Sequence, residues 1–287
     1  MVKFDPPLDR CDLCESTDIS PFYKDYNGIS IFICGNCGIQ FMNPQYTSEF
    51  LKDFYSRYTP DAKPRDERRL TGNWNYCMDL FERHLPGKGS FLDIGCGYGH
   101  SLRTAKERSW DAVGYEIDPE LAGRVEKAVG ARVVSGDFAQ FLKQPKSCDL
   151  VSMSHVIEHL KSPVSYLKTI RAVLKDGGLL FIAMPNIRSF SSRGKYILEK
   201  LRLKTRHVGR YYDTGHHLFY FAPGTISRFL RANGFTLLAM RNCDFDGTGR
   251  SRPFRYLRDK ILGGWMWKST FYVLAAKRDD PIRRPAG

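Results

Sequence analysis

The chain of 287 residues has no apolar run approaching the roughly 20 residues that span a bilayer. Its strongest, residues 179–184, is only strand length. The opening MVKFDPPLDR puts charge and proline where a secretory leader needs an apolar stretch, so a cytoplasmic protein is expected. No internal repeat is present. A hydrophobic fraction of 42% with 26% charged residues excludes a mostly disordered chain, a collagen and a coiled coil. Acidic residues are the scarcer charge, 31 Asp and Glu against 44 Lys and Arg, for a net charge of +13. A secreted disulfide pattern is missing as well: of 8 cysteines, Cys77, Cys96, Cys148 and Cys243 are scattered.

The other four cysteines form one frame. Cys11 and Cys14 make a C-x2-C, nineteen residues follow, and Cys34 and Cys37 make a second. Zinc favours four thiolates in a tetrahedron, and each C-x2-C chelates from one knuckle. Phe22-Tyr23, a polar turn at Asn27-Gly28 and Ile31-Phe32-Ile33 predict a β-hairpin between the knuckles. Four closed ligands leave no open position, so the ion is expected to be structural; free or redox-active thiols are the alternative. Such an ion holds together a module too small for a sufficient core of its own.

A second signal starts at Phe91-Leu92-Asp93-Ile94-Gly95-Cys96-Gly97-Tyr98-Gly99, a short apolar strand running into alternate glycines and then a helix. Glycines at a strand's carboxyl end let a ligand approach backbone, with a helix N-terminus beyond. A second strand, residues 112–115, ends at Glu116, nineteen residues after Gly97, where α/β nucleotide sites put a ribose-binding carboxylate. A third strand, 132–134, leads to Asp137-Phe138, a pair suited to an adenine amino group and ring face. A fourth, 149–152, opens into Met153-Ser154-His155. A fifth, 179–184, follows a helix that Lys175-Asp176-Gly177-Gly178 is expected to cap. Strands alternating with helices predict a doubly wound, mostly parallel α/β sheet with ligands at the carboxyl ends of its strands.

LDIGCGYG followed by GYEID, SGDF and LKDGGLLFIAMPN resembles a class I S-adenosylmethionine-dependent methyltransferase over roughly residues 74–278. The loop reads G-x-G-x-G, closer to that family than to the dinucleotide form G-x-G-x-x-G. The resemblance implies a seven-stranded sheet. It also implies Asp93 near the methionine amino group, Gly95, Gly97 and Gly99 under the cofactor, Glu116 on the ribose, and Asp137 and Phe138 at the adenine. Ile117 and Ser154 complete the expected cofactor set. The cysteine module and the run His155-Val156-Ile157-Glu158-His159-Leu160 resemble bacterial sugar and polysaccharide methyltransferases with an N-terminal zinc ribbon; the run also resembles ubiquinone O-methyltransferases.

The expected organisation is a ribbon over 1–45, a helical connector over 46–73, a core over 74–278 and a disordered tail over 279–287. Thr47 or Ser48 is expected to cap a helix through Phe50, Leu51, Phe54 and Tyr55, and Tyr55 or Tyr58 to reach the cofactor. A hydroxyl acceptor benefits from a general base, and histidine suits neutral pH. His155 and His216 are the candidates, with His159 one helical turn from His155 and expected on the same face; a divalent ion at Glu158 and His159 is a weaker alternative. His217 adjoins His216 in the connection after the fifth strand.

Basic insertions are expected at 186–224 and 241–269. Residues 186–210 carry eight Lys/Arg against Glu199, net +7, and residues 241–269 seven against three acids, net +4. In this fold that side faces the acceptor, so an anionic sugar, a glycolipid or another secondary metabolite is the expected partner. Leu262, Trp265, Met266 and Trp267 beside Arg255, Arg258 and Lys260 resemble an anchor at an anionic membrane surface, though packing onto the domain is favoured. RNA is the weaker alternative. No Asn/Asp-Pro-Pro-aromatic motif follows the fourth strand, and the ribbon has Lys24 against Asp12, Glu15, Asp18 and Asp25 where phosphate binding needs a basic face. A non-catalytic cofactor-binding scaffold is a further alternative.

Overall fold

The computed structural model describes residues 3–25, 28–57, 67–136, 147–201, 211–243 and 268–278. Asp137, Phe138, Tyr58, Trp265, Trp267 and the tail from 279 lie outside the described residues, as does most of the second basic insertion.

Two antiparallel strands, β1 (Ile19–Lys24) and β2 (Ser30–Cys34), form the expected hairpin, and β3 (Gln40–Met42) adds to β2. Helix α1 (Ser48–Arg57) follows, with the Thr47 hydroxyl accepting the Phe50 N–H at 3.1 Å, which makes Thr47 the cap. Helix α2 (Glu67–Glu82) leads into the main sheet. There β4 (Ser90–Ile94), α3 (His100–Glu107), β5 (Asp111–Tyr115), α4 (Pro119–Val129), β6 (Arg132–Val134) and β7 (Cys148–Ser154) alternate. After β7 come a single 3-10 turn (Ile157–His159), α5 (Pro163–Val173), β8 (Leu174–Pro185) and α6 (Phe190–Lys200). The short β9 (Phe219–Tyr220), α7 (Pro223–Ala232), β10 (Phe235–Cys243) and β11 (Thr270–Lys277) complete the chain.

The main sheet has seven strands in the order β10-β11-β8-β7-β4-β5-β6. It is parallel from β8 to β6, and β11 runs antiparallel to both β8 and β10. Alternate side chains go to opposite faces, and both faces are apolar. Leu92, Ile94, Val151, Met153, Leu180 and Ile182 build one core, while Phe91, Leu150, Leu179, Phe181, Tyr272 and Leu274 build the other.

Lys175-Asp176-Gly177-Gly178, expected from the sequence to cap α5, does not do so. The helix ends at Val173, and these residues form a bulge at the start of β8, between the pairs Cys148–Leu174 and Leu150–Leu179. The apolar Leu174 is fully buried, so packing ends the helix before the glycines are reached.

The cysteine module is continuous with the rest. Strand β3 pairs with β9 as Gln40–Tyr220 and Phe41–Phe219, making a four-stranded sheet β1-β2-β3-β9. Cys11, Ile31, Ile39 and Phe41 belong to the same core as Leu92 and Val151. Among the described residues, no helix is long and apolar enough to cross a membrane.

Candidate active site

The glycine loop turns because three residues adopt left-handed backbone: φ is 72° at Gly95, 51° at Gly97 and 75° at Gly99. At Gly99 an added Cβ would sit 2.5 Å from Val125, so this glycine is needed for helix packing. At Gly97 an added Cβ would meet nothing within 4 Å, which leaves open space against the backbone at the carboxyl end of β4. Glu116, at the end of β5, accepts the N–H of Gly97 at 3.0 Å and of Asp118 at 3.2 Å. Burial pushes its acid up, against those hydrogen bonds. The following residue, Ile117, is 47% exposed, an apolar side chain left in solvent. Open backbone, a carboxylate and an exposed apolar face fit a nucleoside-bearing cofactor.

Asp93 sits at the carboxyl end of β4, just before the glycine loop. It is 2% exposed, and the hydroxyls of Ser101 and Ser152 donate to its two carboxylate oxygens. It therefore braces β4, α3 and β7 against one another. Burial pushes its acid up to about 6, opposed by the two serines. Ser154 is half-buried at the end of β7.

His155 follows directly, with φ of 56°, its N–H donating to the Ala183 carbonyl at 2.8 Å. A non-glycine residue held in this region is strained, and such strain concentrates at functional positions. Because 157–159 is one 3-10 turn rather than an α-helix, His155 and His159 do not share a helical face. They flank Glu158 instead: His155 Nδ1 lies 3.5 Å and His159 Nε2 3.9 Å from its Oε1. Burial acts to raise the Glu158 acid, but the neighbouring imidazoles, His155 first, outweigh it and hold it down at about 2. Burial pushes His159 the other way, down to about 4, so its ring is neutral at pH 7.

His216 stacks on His159 at 4.8 Å, and His217 lies edge-on at 4.7 Å. Phe54 of α1 covers His216, and Tyr55 meets His159 edge-on. The Leu218 N–H donates to the Glu158 carbonyl at 2.8 Å, which ties the two histidine-bearing segments together. Beyond them opens a cavity of about 600 Å³, lined by Glu158, His217, Asn186, Lys195, Tyr211 and Tyr220 among others. Glu158 and His217 have more prominent places than the sequence suggested. The run H-x-x-E-H and the pair His216-His217 were its signals, but only the Leu218 contact brings them together.

The four N-terminal cysteines converge. Cys11 and Cys37 sulfurs are 3.6 Å apart, as are those of Cys14 and Cys34. All four lie within 4.8 Å of one another. A zinc ion about 2.3 Å from each sulfur spaces them by about 3.8 Å, so the cluster fits that ion and is too wide for disulfides. The Cys37 N–H donates to Cys34 Sγ at 3.5 Å, and Asn36 Nδ2 to Cys14 Sγ at 3.6 Å. The neighbouring Cys11 thiol pulls Cys37 down to about 5, giving it the thiolate character a metal needs.

A seven-stranded sheet with this order and an open glycine loop at its first parallel strand define a class I methyltransferase fold. The chain belongs to the methyltransferase domain family, whose match spans residues 49–240, and S-adenosylmethionine is its methyl donor. It is 26% identical over 180 residues to a ubiquinone biosynthesis O-methyltransferase of Methylococcus capsulatus, covering 59% of this chain and 73% of that one. A protein of the same name from Paraburkholderia xenovorans is 23% identical over 210 residues, covering 68% and 81%. Among solved structures, an S-adenosylmethionine-dependent methyltransferase from Archaeoglobus fulgidus aligns with a TM-score of 0.52 and 20% identity, over 80% of this chain and 100% of that one. One from Mesorhizobium loti aligns at 0.50 and 18%, over 73% and 100%.

Proposed function

We propose that this methyltransferase acts on oxygen, methylating a hydroxyl on a ring-shaped acceptor that carries an anionic group. The observation that carries the reading is the His155–Glu158 pair, set between the glycine loop and the aromatic cavity. An added Cβ on Gly95 would come within 2.5 Å of Val156, so the segment bearing His155 abuts the loop. The names of the relatives, O-methyltransferases, support oxygen as the target. The tyrosine rings of the cavity suit a flat or ring-shaped acceptor, and Lys195 suits an acidic substituent. An anionic sugar, a glycolipid headgroup and an acidic phenol share that chemistry.

Gly97, Glu116, Ile117 and Ser154 hold the cofactor in this reading, with Gly95, Gly99 and Asp93 shaping the loop. S-adenosylmethionine, when bound, supplies an electrophilic sulfonium methyl. His155 takes the proton from the acceptor hydroxyl as the oxygen becomes nucleophilic. Glu158 positions the imidazole through Nδ1 and stabilises the imidazolium that forms. Cavity walls hold the acceptor in line and exclude water. The ribbon's zinc is structural and props the cavity wall through β3 and β9.

Incubating the protein with methyl-labelled S-adenosylmethionine and a host extract tests the reading. Label in ribonuclease-resistant small molecules or lipids is expected. Label in ribonuclease-sensitive polymer overturns it in favour of RNA. His155→Gln is expected to lower turnover by about 10²–10⁴-fold with cofactor affinity unchanged; an equal loss of cofactor binding refutes the base assignment.

A further inference from the structure

We propose a second metal site, distinct from the cysteine cluster, in which Glu158, His159, His216 and His217 hold one divalent first-row transition ion at the wall of the cavity. Three imidazoles each offer a nitrogen within 4.8 Å of the others. They come from two chain segments that the Leu218–Glu158 backbone hydrogen bond clamps together.

The orientation of His159 suits a ligand. Its Nδ1 lies 3.3 Å from the His216 carbonyl oxygen, which assigns the ring proton to Nδ1 and leaves Nε2 as an acceptor directed at Glu158. A ligating imidazole is ordinarily fixed in this way, through its other nitrogen, by a backbone carbonyl or carboxylate.

Glu158 supplies the independent observation. The residue is 1% exposed, and among the described residues its carboxylate has only long contacts, His155 Nδ1 at 3.5 Å and His159 Nε2 at 3.9 Å from Oε1, with no hydrogen bond of ordinary geometry. A buried anion with unfilled lone pairs is costly unless it is paired, and a divalent cation pairs it. Aromatic packing of the three rings would account for the stacking, but it leaves the buried carboxylate only the long His155 contact on one oxygen.

Imidazole nitrogens with one carboxylate favour Zn²⁺, Co²⁺, Fe²⁺ or Ni²⁺ over the hard ions Mg²⁺ and Ca²⁺. Glu158 and His217 also line the cavity, so the ion faces it. Its role there, binding the acceptor oxygen and easing loss of its proton to His155, rests on the proposed function; the existence of the site does not.

The test uses full-length protein with its ribbon already loaded with zinc, titrated with Co²⁺ alone. Uptake of about one further ion is expected, with the absorption of nitrogen and oxygen coordination and no thiolate charge-transfer band. His217→Gln and Glu158→Gln are each expected to weaken that uptake at least ~10-fold. Calorimetric binding of S-adenosylmethionine and the thermal melt report whether each variant is folded. No uptake beyond the ribbon, or thiolate bands alone, in the wild-type protein overturns the site, and so does undiminished uptake by both folded variants. Should neither variant fold, the wild-type spectrum decides by itself. Co²⁺ uptake by a protein that labels only RNA keeps the site and sinks the acceptor reading; hydroxyl labelling without uptake does the reverse.

Discussion

Gly97 and Gly99 look alike in the sequence and in backbone angle, yet they do different work. An alanine at Gly99 must push into Val125, so Gly99→Ala is expected to lose stability beyond the ~1–2 kcal/mol of left-handed strain. Gly97→Ala has only that strain to bear, because the space beside it is open. Its larger effect is expected on S-adenosylmethionine affinity, read by calorimetry against the thermal melt of each variant. Asp93 sets a pH dependence whose sign follows from its raised acid. The folded state holds this proton more tightly than an unfolded chain, so Asp93 favours folding most below pH 4. That contribution is lost as pH rises to about 6. Relative to Asp93→Asn, the wild-type protein is expected to lose on the order of 3 kcal/mol across that window, measured by denaturant titration at each pH. A constant difference would show that the carboxylate is already ionised below pH 4. The residue types of this site were legible because glycine spacing and an acid at a strand end are local patterns. The serine partners of Asp93 were not, since Ser101 and Ser152 lie 8 and 59 residues away and meet it only once α3 and β7 pack beside β4.

The ribbon and the segment before β9 form a joint that no local pattern announces. Besides the β3–β9 pairing, the Tyr212 hydroxyl donates to Gln40 at 2.9 Å, Thr214 to Asp25 at 2.6 Å, and Tyr46 to the Thr214 carbonyl at 2.8 Å. The same segment carries His216 and His217. The spacing of the cysteines predicted a small module held together by its ion, with no sign that it is joined to the core. With this joint, Cys34→Ser is expected to speed hydrogen exchange across residues 211–221 while leaving the glycine loop protected and cofactor affinity within about twofold. Unchanged exchange in 211–221 would mean that the ribbon folds without supporting the cavity. Phe41→Ala removes a fully buried ring at the joint and is expected to cost about 3–5 kcal/mol by thermal or denaturant unfolding. Hairpin, helix cap and alternating strands could be read in advance from turn residues and apolar periodicity. The bulge at 175–178 and the 3-10 turn at 157–159 could not, because burial of Leu174 and the contact between Glu158 and Leu218 decide them.

At the scale of the molecule, a net charge of +13 would attract the proposed anionic acceptor more than the cofactor. Acceptor KM is expected to rise several-fold between ~50 and ~300 mM salt, while cofactor affinity changes less than about twofold. An acceptor KM insensitive to salt would remove the anionic group from the proposed acceptor. The sequence by itself determined the sheet class, the glycine loop with Glu116, and the four thiolates of the ribbon. Each depends on side chains close together along the chain, where backbone geometry enforces the spacing. Only the tertiary structure decided that the ribbon shares a strand pair with the core and that the His155–Glu158–His159 segment meets His216 and His217. The contacts that join those two segments link residues up to 60 positions apart, Glu158 and Leu218, and packing rather than local spacing chooses such partners.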